Sequence, residues 1–142
     1  MATSVHTANQ GLQILLVEDH ADTALVMSKL LEKSGYVVRV ANSINRARQS
    51  AQETRIDLLI CDVGLPDGSG LELMRELKSR YGLKGICLSG FGMEDDIRKS
   101  QAAGFAAHVT KPVDLTRLES LIEQVAASRG DQEFRRPDGI NG

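Results

Sequence analysis

Residues 55–90 read RIDLLICDVGLPDGSGLELMRELKSRYGLKGICLSG, and the order of events in them decides the fold. Ile56–Cys61 is an almost unbroken apolar run of strand length, the composition of a parallel strand covered on both faces. It ends in Asp62 and passes into a loop rich in turn formers, PDGSG. Leu73, Met74 and Leu77 then form a narrow apolar stripe at helical spacing, and Gly82 follows as a stop. A second apolar run, Gly85–Ser89, closes the unit. Strand, helix and strand in this order make a crossover that lays two strands side by side in parallel.

The same alternation extends in both directions. Before it come the runs Gln13–Glu18 (QILLVE) and Tyr36–Ala41 (YVVRVA), and after it Ala106–Thr110 (AAHVT). Between the first two, Ala24, Met27, Leu30 and Leu31 recur at helical spacing, with Gly35 as a stop. Ser43 is placed to cap a weaker, alanine-bearing helix reaching about Glu53. A mostly polar helix is predicted from about Met93 to Ala103, with Ile97 and its alanines as the candidates for burial. The last helix is clear: Asp114 caps it, and Leu115, Leu118, Leu121, Ile122 and Val125 line one face. Five alternations predict the α/β class, an open, doubly wound parallel sheet with helices on both faces.

Composition sets the bounds. The chain has 142 residues, suited to one domain, with 42% hydrophobic and 25% charged residues. Seventeen basic residues against 19 acidic ones give a formal charge of −2. That balance carries no basic field for nucleic acid and no polybasic membrane patch. No apolar stretch approaches the roughly 20 residues of a membrane span. Cys61 and Cys87 sit in apolar runs, far apart, and read as reduced core thiols. These features point to a cytoplasmic protein. The ends are polar and non-periodic, so 1–11 is expected to be a linker or tail, 12–127 the domain, and 128–142 a flexible tail.

Functional groups of such sheets gather outside the carboxyl ends of the strands, near the point where strand order reverses. Here those ends are polar. The first run ends in Glu18-Asp19, the third in Asp62, the fourth in Ser89, and the fifth in Thr110-Lys111-Pro112. If strands one and three are neighbours at the reversal, Glu18, Asp19 and Asp62 converge. Carboxylates that close repel one another, and a cation is the usual remedy. Oxygen-only ligands favour a hard ion, magnesium above others.

LLVEDH around Glu18-Asp19, CDVGLPDGSG from Cys61, CLSG around Ser89 and VTKP at Lys111 together resemble the receiver domain of two-component response regulators. The resemblance covers about residues 12 to 127. It implies a flavodoxin-like sheet of strand order 2-1-3-4-5, and a phosphoryl group accepted on Asp62 from a phosphohistidine of a histidine kinase or histidine phosphotransfer domain. It implies Mg2+ held by Asp19, Asp62 and the backbone carbonyl of Gly64, with Glu18 acting through a bound water. Lys111 and Ser89 would contact phosphoryl oxygens, and Pro112 would follow a cis peptide bond that aims Lys111 into the site. Ser89 would then move, and the side chain three residues before the lysine would turn inward. That side chain is Tyr or Phe in most relatives and His108 here, which makes its turning sensitive to pH. Gly64 and Phe91, each two positions after a site residue, flank the path of attacking water.

Plainer readings stand beside these. Asp62 alone could be a turn aspartate, Asp19 or Asp22 a helix cap, Ser89 a loop cap, and His108 a packed core histidine. His6 and His20 read as exposed. No GxxxxGK[ST] or GxGxxG occurs, so Gly64, Gly68 and Gly70 are not a phosphate-cradling loop.

The resulting function is a phosphorylation-controlled interaction module, with no room after the last helix for a fused output domain. GFAAHVTKPVD looks like receivers at the carboxyl end of hybrid sensor histidine kinases, which would make the polar start a linker from the kinase. The alternative is a free-standing single-domain regulator, for which a homodimer is allowed. A third reading is a magnesium-dependent phosphatase using an aspartyl-phosphate. Phosphatases of that kind carry a second Asp two residues after the nucleophile, where this chain has Gly64, so multiple turnover is not expected.

Overall fold

The computed structural model of the chain describes residues 11–90 and 94–135. The sequence expectations that fall on 1–10, 91–93 and 136–142, including those for His6, Phe91 and Met93, lie outside the described residues. Five strands form one parallel sheet: β1 Gln13–Val17, β2 Val37–Ala41, β3 Leu58–Asp62, β4 Lys84–Ser89 and β5 Ala107–Thr110. Between and after them run helices α1 Ala21–Lys33, α2 Ile44–Glu53, α3 Gly70–Tyr81, α4 Glu94–Ala103 and α5 Leu115–Arg135. The spatial order is β2-β1-β3-β4-β5, so the reversal falls between β1 and β3.

Strand periodicity divides the core in two. Leu15, Val17, Leu59, Cys61 and Cys87 point to one face, where α2 contributes Ile44, Ala47 and Ala51 and α3 contributes Leu73, Met74 and Leu77. Ile14, Leu16, Leu58, Ile60, Ile86, Leu88 and Val109 point to the other, against Met27 and Leu31 of α1 and Leu118, Ile122 and Val125 of α5. Burying each large aliphatic side chain is worth about 1.5–3 kcal/mol. This is why β1, β3 and β4 show no alternation of polarity in the sequence. The edge strand β2, VVRVA, does not alternate either, and leaves Val37 and Val40 exposed.

Three details depart from the periodicity. Leu30 is exposed, because the stripe that α1 buries runs through Ala24, Met27, Ser28 and Leu31, and Leu30 lies one residue off it. On α4 the buried residues are Ser100 and Ala103, while Ile97 is only partly covered. The α5 backbone stays helical past residue 127 to Arg135. Gly130 costs a helix only about 1 kcal/mol and does not stop it here. Among the described residues, no helix is long and apolar enough to cross a membrane.

Candidate functional site

β1 and β3 pair in parallel, Leu16 beside Ile60 and Val17 beside Cys61, so the residues just after Val17 emerge beside Asp62. β4 and β5 pair with Ser89 beside Thr110, which brings Lys111 to the same end of the sheet. The peptide bond between Lys111 and Pro112 is cis, and the Lys111 N–H donates to the Ser89 carbonyl at 2.7 Å.

Lys111 joins the acidic groups. Its Nζ donates to Asp62 Oδ2 at 2.9 Å and to Glu18 Oε1 at 3.0 Å. Glu18 is wholly buried, and its Oε2 also accepts from the His20 backbone N–H at 3.1 Å. Burial by itself raises the pKa of Glu18, but the His20 N–H and the Lys111 ammonium outweigh it and hold the carboxyl below its ordinary value. Lys111 is the mirror case. Burial pulls its pKa down, while its bonds to Asp62 and Glu18 carry it above the ordinary lysine value.

The His20 imidazole, expected simply to be exposed, is exposed but not idle. Its Nδ1 lies 3.2 Å from Glu18 Oε2 and 3.7 Å from Asp19 Oδ1. Donor atoms of Glu18, Asp19 and His20 all fall within 4.8 Å of one another, the one such grouping of metal-ligating side chains among the described residues. Asp62 is not in it; its carboxylate is drawn to Lys111 instead. The carboxylates of Glu18 and Asp19 at one strand end and Asp62 at the next, two of them bonded to Lys111, are oxygen donors of the kind that fits a hard divalent cation such as magnesium.

Asp62, Gly64, Ser89 and His108 line a cleft of about 380 Å³, together with Asp96 and Lys99 from α4. Ser89 is buried at the end of β4, where the chain leaves the sheet. Gly64 opens a two-residue ribbon, Gly64–Leu65 against Gly68–Ser69, and a Cβ there would meet nothing within 4 Å. Gly70, the first residue of α3, is a different matter. A Cβ on it would collide with the Asp62 carbonyl oxygen and press on Cys61 Sγ at 3.0 Å. Its N–H bonds the Val63 carbonyl at 2.7 Å, so α3 begins directly against the backbone that carries Asp62. Periodicity offers no signal for that approach.

The plain alternative of a turn aspartate belongs to Asp67. Its two oxygens accept from the N–H groups of Ile44 at 2.8 Å and Asn45 at 3.1 Å, capping α2 from a distant loop. Ser43 caps the same helix, accepting from Arg46 at 3.2 Å. No side chain caps α1: its N-cap is His20, and neither Asp19 nor Asp22 takes that place. Cys61 and Cys87 are buried thiols outside any disulfide, and Cys61 Sγ donates to the Asp62 carbonyl at 3.1 Å; burial pushes the Cys87 thiol up to about 12, and both stay protonated.

Residues 14–123 match the family model described as response regulator receiver domain. The polar-differentiation response regulator DivK of Brucella anthropi is 32% identical, over 83% of this chain and 96% of its own. Probable histidine kinase 2 of Oryza sativa subsp. indica is 29% identical over 84% of this chain, which spans only 13% of that protein. The crystal structure of a CheY-like response regulator receiver domain protein from Methanospirillum hungatei JF-1 superposes with a TM-score of 0.79. It is 27% identical and covers 87% of this chain and 99% of its own.

Proposed function

Because the chain belongs to the response regulator receiver domain family, we propose that it accepts a phosphoryl group on Asp62 from a phosphohistidine of a histidine kinase or histidine phosphotransfer domain. The observation that carries this reading is the single ammonium of Lys111 spanning Asp62 and Glu18 at the end of the sheet. An Asp62 oxygen attacks phosphorus, the P–N bond to the donor imidazole breaks, and the electron pair leaves on that nitrogen. Lys111 is already within bonding reach of the nucleophile, so its charge can follow onto a phosphoryl oxygen as charge builds there. Ser89 supplies a hydroxyl to the same cleft. Asp19, Asp62 and the Gly64 carbonyl would hold magnesium, with Glu18 acting through water, and the bound ion supplies charge neutralisation.

Incubation with magnesium and acetyl phosphate tests this. The intact mass of the wild type should rise by one phosphoryl group, and that of Asp62→Asn should not. A mass gain retained in Asp62→Asn, or absent from the wild type, overturns the assignment.

Output passes through protein contacts switched by Ser89 and His108. Its setting has two supports. The GFAAHVTKPVD stretch favours the receiver of a hybrid sensor histidine kinase, and the similarity to DivK over nearly its whole length favours a free-standing regulator. The reading frame upstream of Ala2 decides between them. Turnover of small phosphomonoesters with magnesium would favour a phosphatase instead; the Gly64 position offers no acid–base side chain for one.

A further inference from the structure

Within the cleft beside Asp62, one polar atom stands out. His108 Nε2 is buried and has no hydrogen-bond partner among the described residues. A buried polar nitrogen left unpaired is costly, so a second state that pairs it is favoured. Several elements bring groups to the cleft around His108. From β4 come Cys87, its partner in register, and Ser89; from β3, Asp62; from α3, the apolar Leu71; from α4, Asp96 and Lys99. Lys111 follows on its own strand, and α5 packs against the opposite face, at Val109. The Cys87 thiol is neutral, and Asp62 is engaged by Lys111. Asp96 is the remaining carboxylate of the cleft, half-buried and with no ion pair among the described residues.

We infer that Asp96 is the positioning residue for His108, accepting a hydrogen bond from the ring once Asp62 is phosphorylated and so tying α4 to the state of the site. The inference rests on the phospho-acceptor reading above. Phosphorylation replaces one carboxylate charge in the cleft by a phosphoryl charge of roughly −1.5 to −2. The added negative potential raises the proton affinity of the imidazole. Burial holds the resting ring below the ordinary histidine value, and Asp96 alone works against that. A ring that gains a proton has an N–H at both nitrogens, so Nε2 becomes a donor and Asp96 an acceptor within the same cleft. The bond closes between β5 and α4, elements that carry the surface beside the cleft. Because the paired ring binds its proton more tightly, the closed arrangement gains as pH falls and is lost as pH rises through the His108 value of the phosphorylated state.

The test is NMR titration of the His108 ring nitrogens in the full chain, with and without magnesium and acetyl phosphate, in wild type, Asp96→Asn and Asp96→Glu. Intact mass is read on the same samples. Phosphorylation should raise the proton affinity of His108 by about tenfold in the wild type, one pH unit. Asp96→Asn should lose more than half of that rise at unchanged phosphorylation, and Asp96→Glu should restore it. An undiminished rise in Asp96→Asn, or no rise in a wild type whose mass shows the phosphoryl group, overturns the inference. No mass gain at all overturns the phospho-acceptor reading first, and this inference with it.

Discussion

Lys111 Nζ and Asp62 Oδ2 stand 2.9 Å apart although 49 positions separate the residues in the chain. Glu18, 93 positions from Lys111, holds the same ammonium at 3.0 Å. A single ammonium therefore serves carboxylates from two strand ends at once.

Lys111→Met leaves Glu18 buried without its ammonium. Breaking a buried pair from one side costs about 3–5 kcal/mol, and because Lys111 is partly exposed the loss should fall at or below the lower end. Urea unfolding should show a lower midpoint. The rate of phosphorylation by acetyl phosphate should fall more than 10-fold, roughly what one lost charge at the reacting group costs.

Acid should act through Glu18. Its folded value lies below the ordinary one, so its contribution is present above the unfolded value of about 4.5 and is lost as pH falls through the lower folded value. Lys111 is raised, so its contribution is present below about 10.5 and is lost as pH climbs through a higher folded value. Stability measured between pH 3 and 7 should therefore drop on the acid side, and Glu18→Gln should flatten that limb.

Gly70→Ala should destabilise, against the usual sign. In an open helix the change gains up to about 1 kcal/mol. Here the new Cβ meets the Asp62 carbonyl oxygen, a backbone atom that cannot yield without moving the acceptor. Thermal melting should show a loss, and phosphorylation of Asp62 should slow. The same substitution at Gly64, where nothing lies within 4 Å, should leave the melting temperature nearly unchanged.

Magnesium should stabilise the chain by mass action, by about 2.7 kcal/mol at one hundred times its dissociation constant. Chelation should reverse the rise in melting temperature. Asp19→Asn should shrink the effect, and should raise the stability of the metal-free protein by relieving its repulsion with Glu18.

Asp67→Ala removes a cap that two backbone N–H groups of α2 share. A loss of about 1 kcal/mol is expected, Ser43 retaining the third N–H. Chemical denaturation measures it, and acceptance of phosphate by Asp62 should be unchanged.

The sheet was readable because a strand buried on both faces has no choice of composition, as Leu58–Cys61 shows, each residue essentially inaccessible. The placing of Asp62, Glu18 and Lys111 at one end followed from topology alone. What escaped was set by approach across the fold. Asp67 reaches α2 from a loop 23 residues away, Gly70 abuts the Asp62 backbone, and Asp96 enters the cleft from a helix whose own pattern is nearly all polar. His20 is exposed, as the sequence suggests, yet exposure says nothing of the carboxylates beside it. Leu30 misled for a simpler reason: four apolar positions on α1 suggest a stripe wider than the sheet can cover.

Contributions from the first, third and last strands make the cluster of Glu18, Asp62 and Lys111 a property of the completed sheet. A chain still emerging from the ribosome has Glu18, Asp19 and Asp62 in hand but no ammonium until Lys111 appears and β5 docks on β4. On the proposed reading, uptake of label by Asp62 waits for β5 to dock, and so doubles as an assay of whether the sheet is complete.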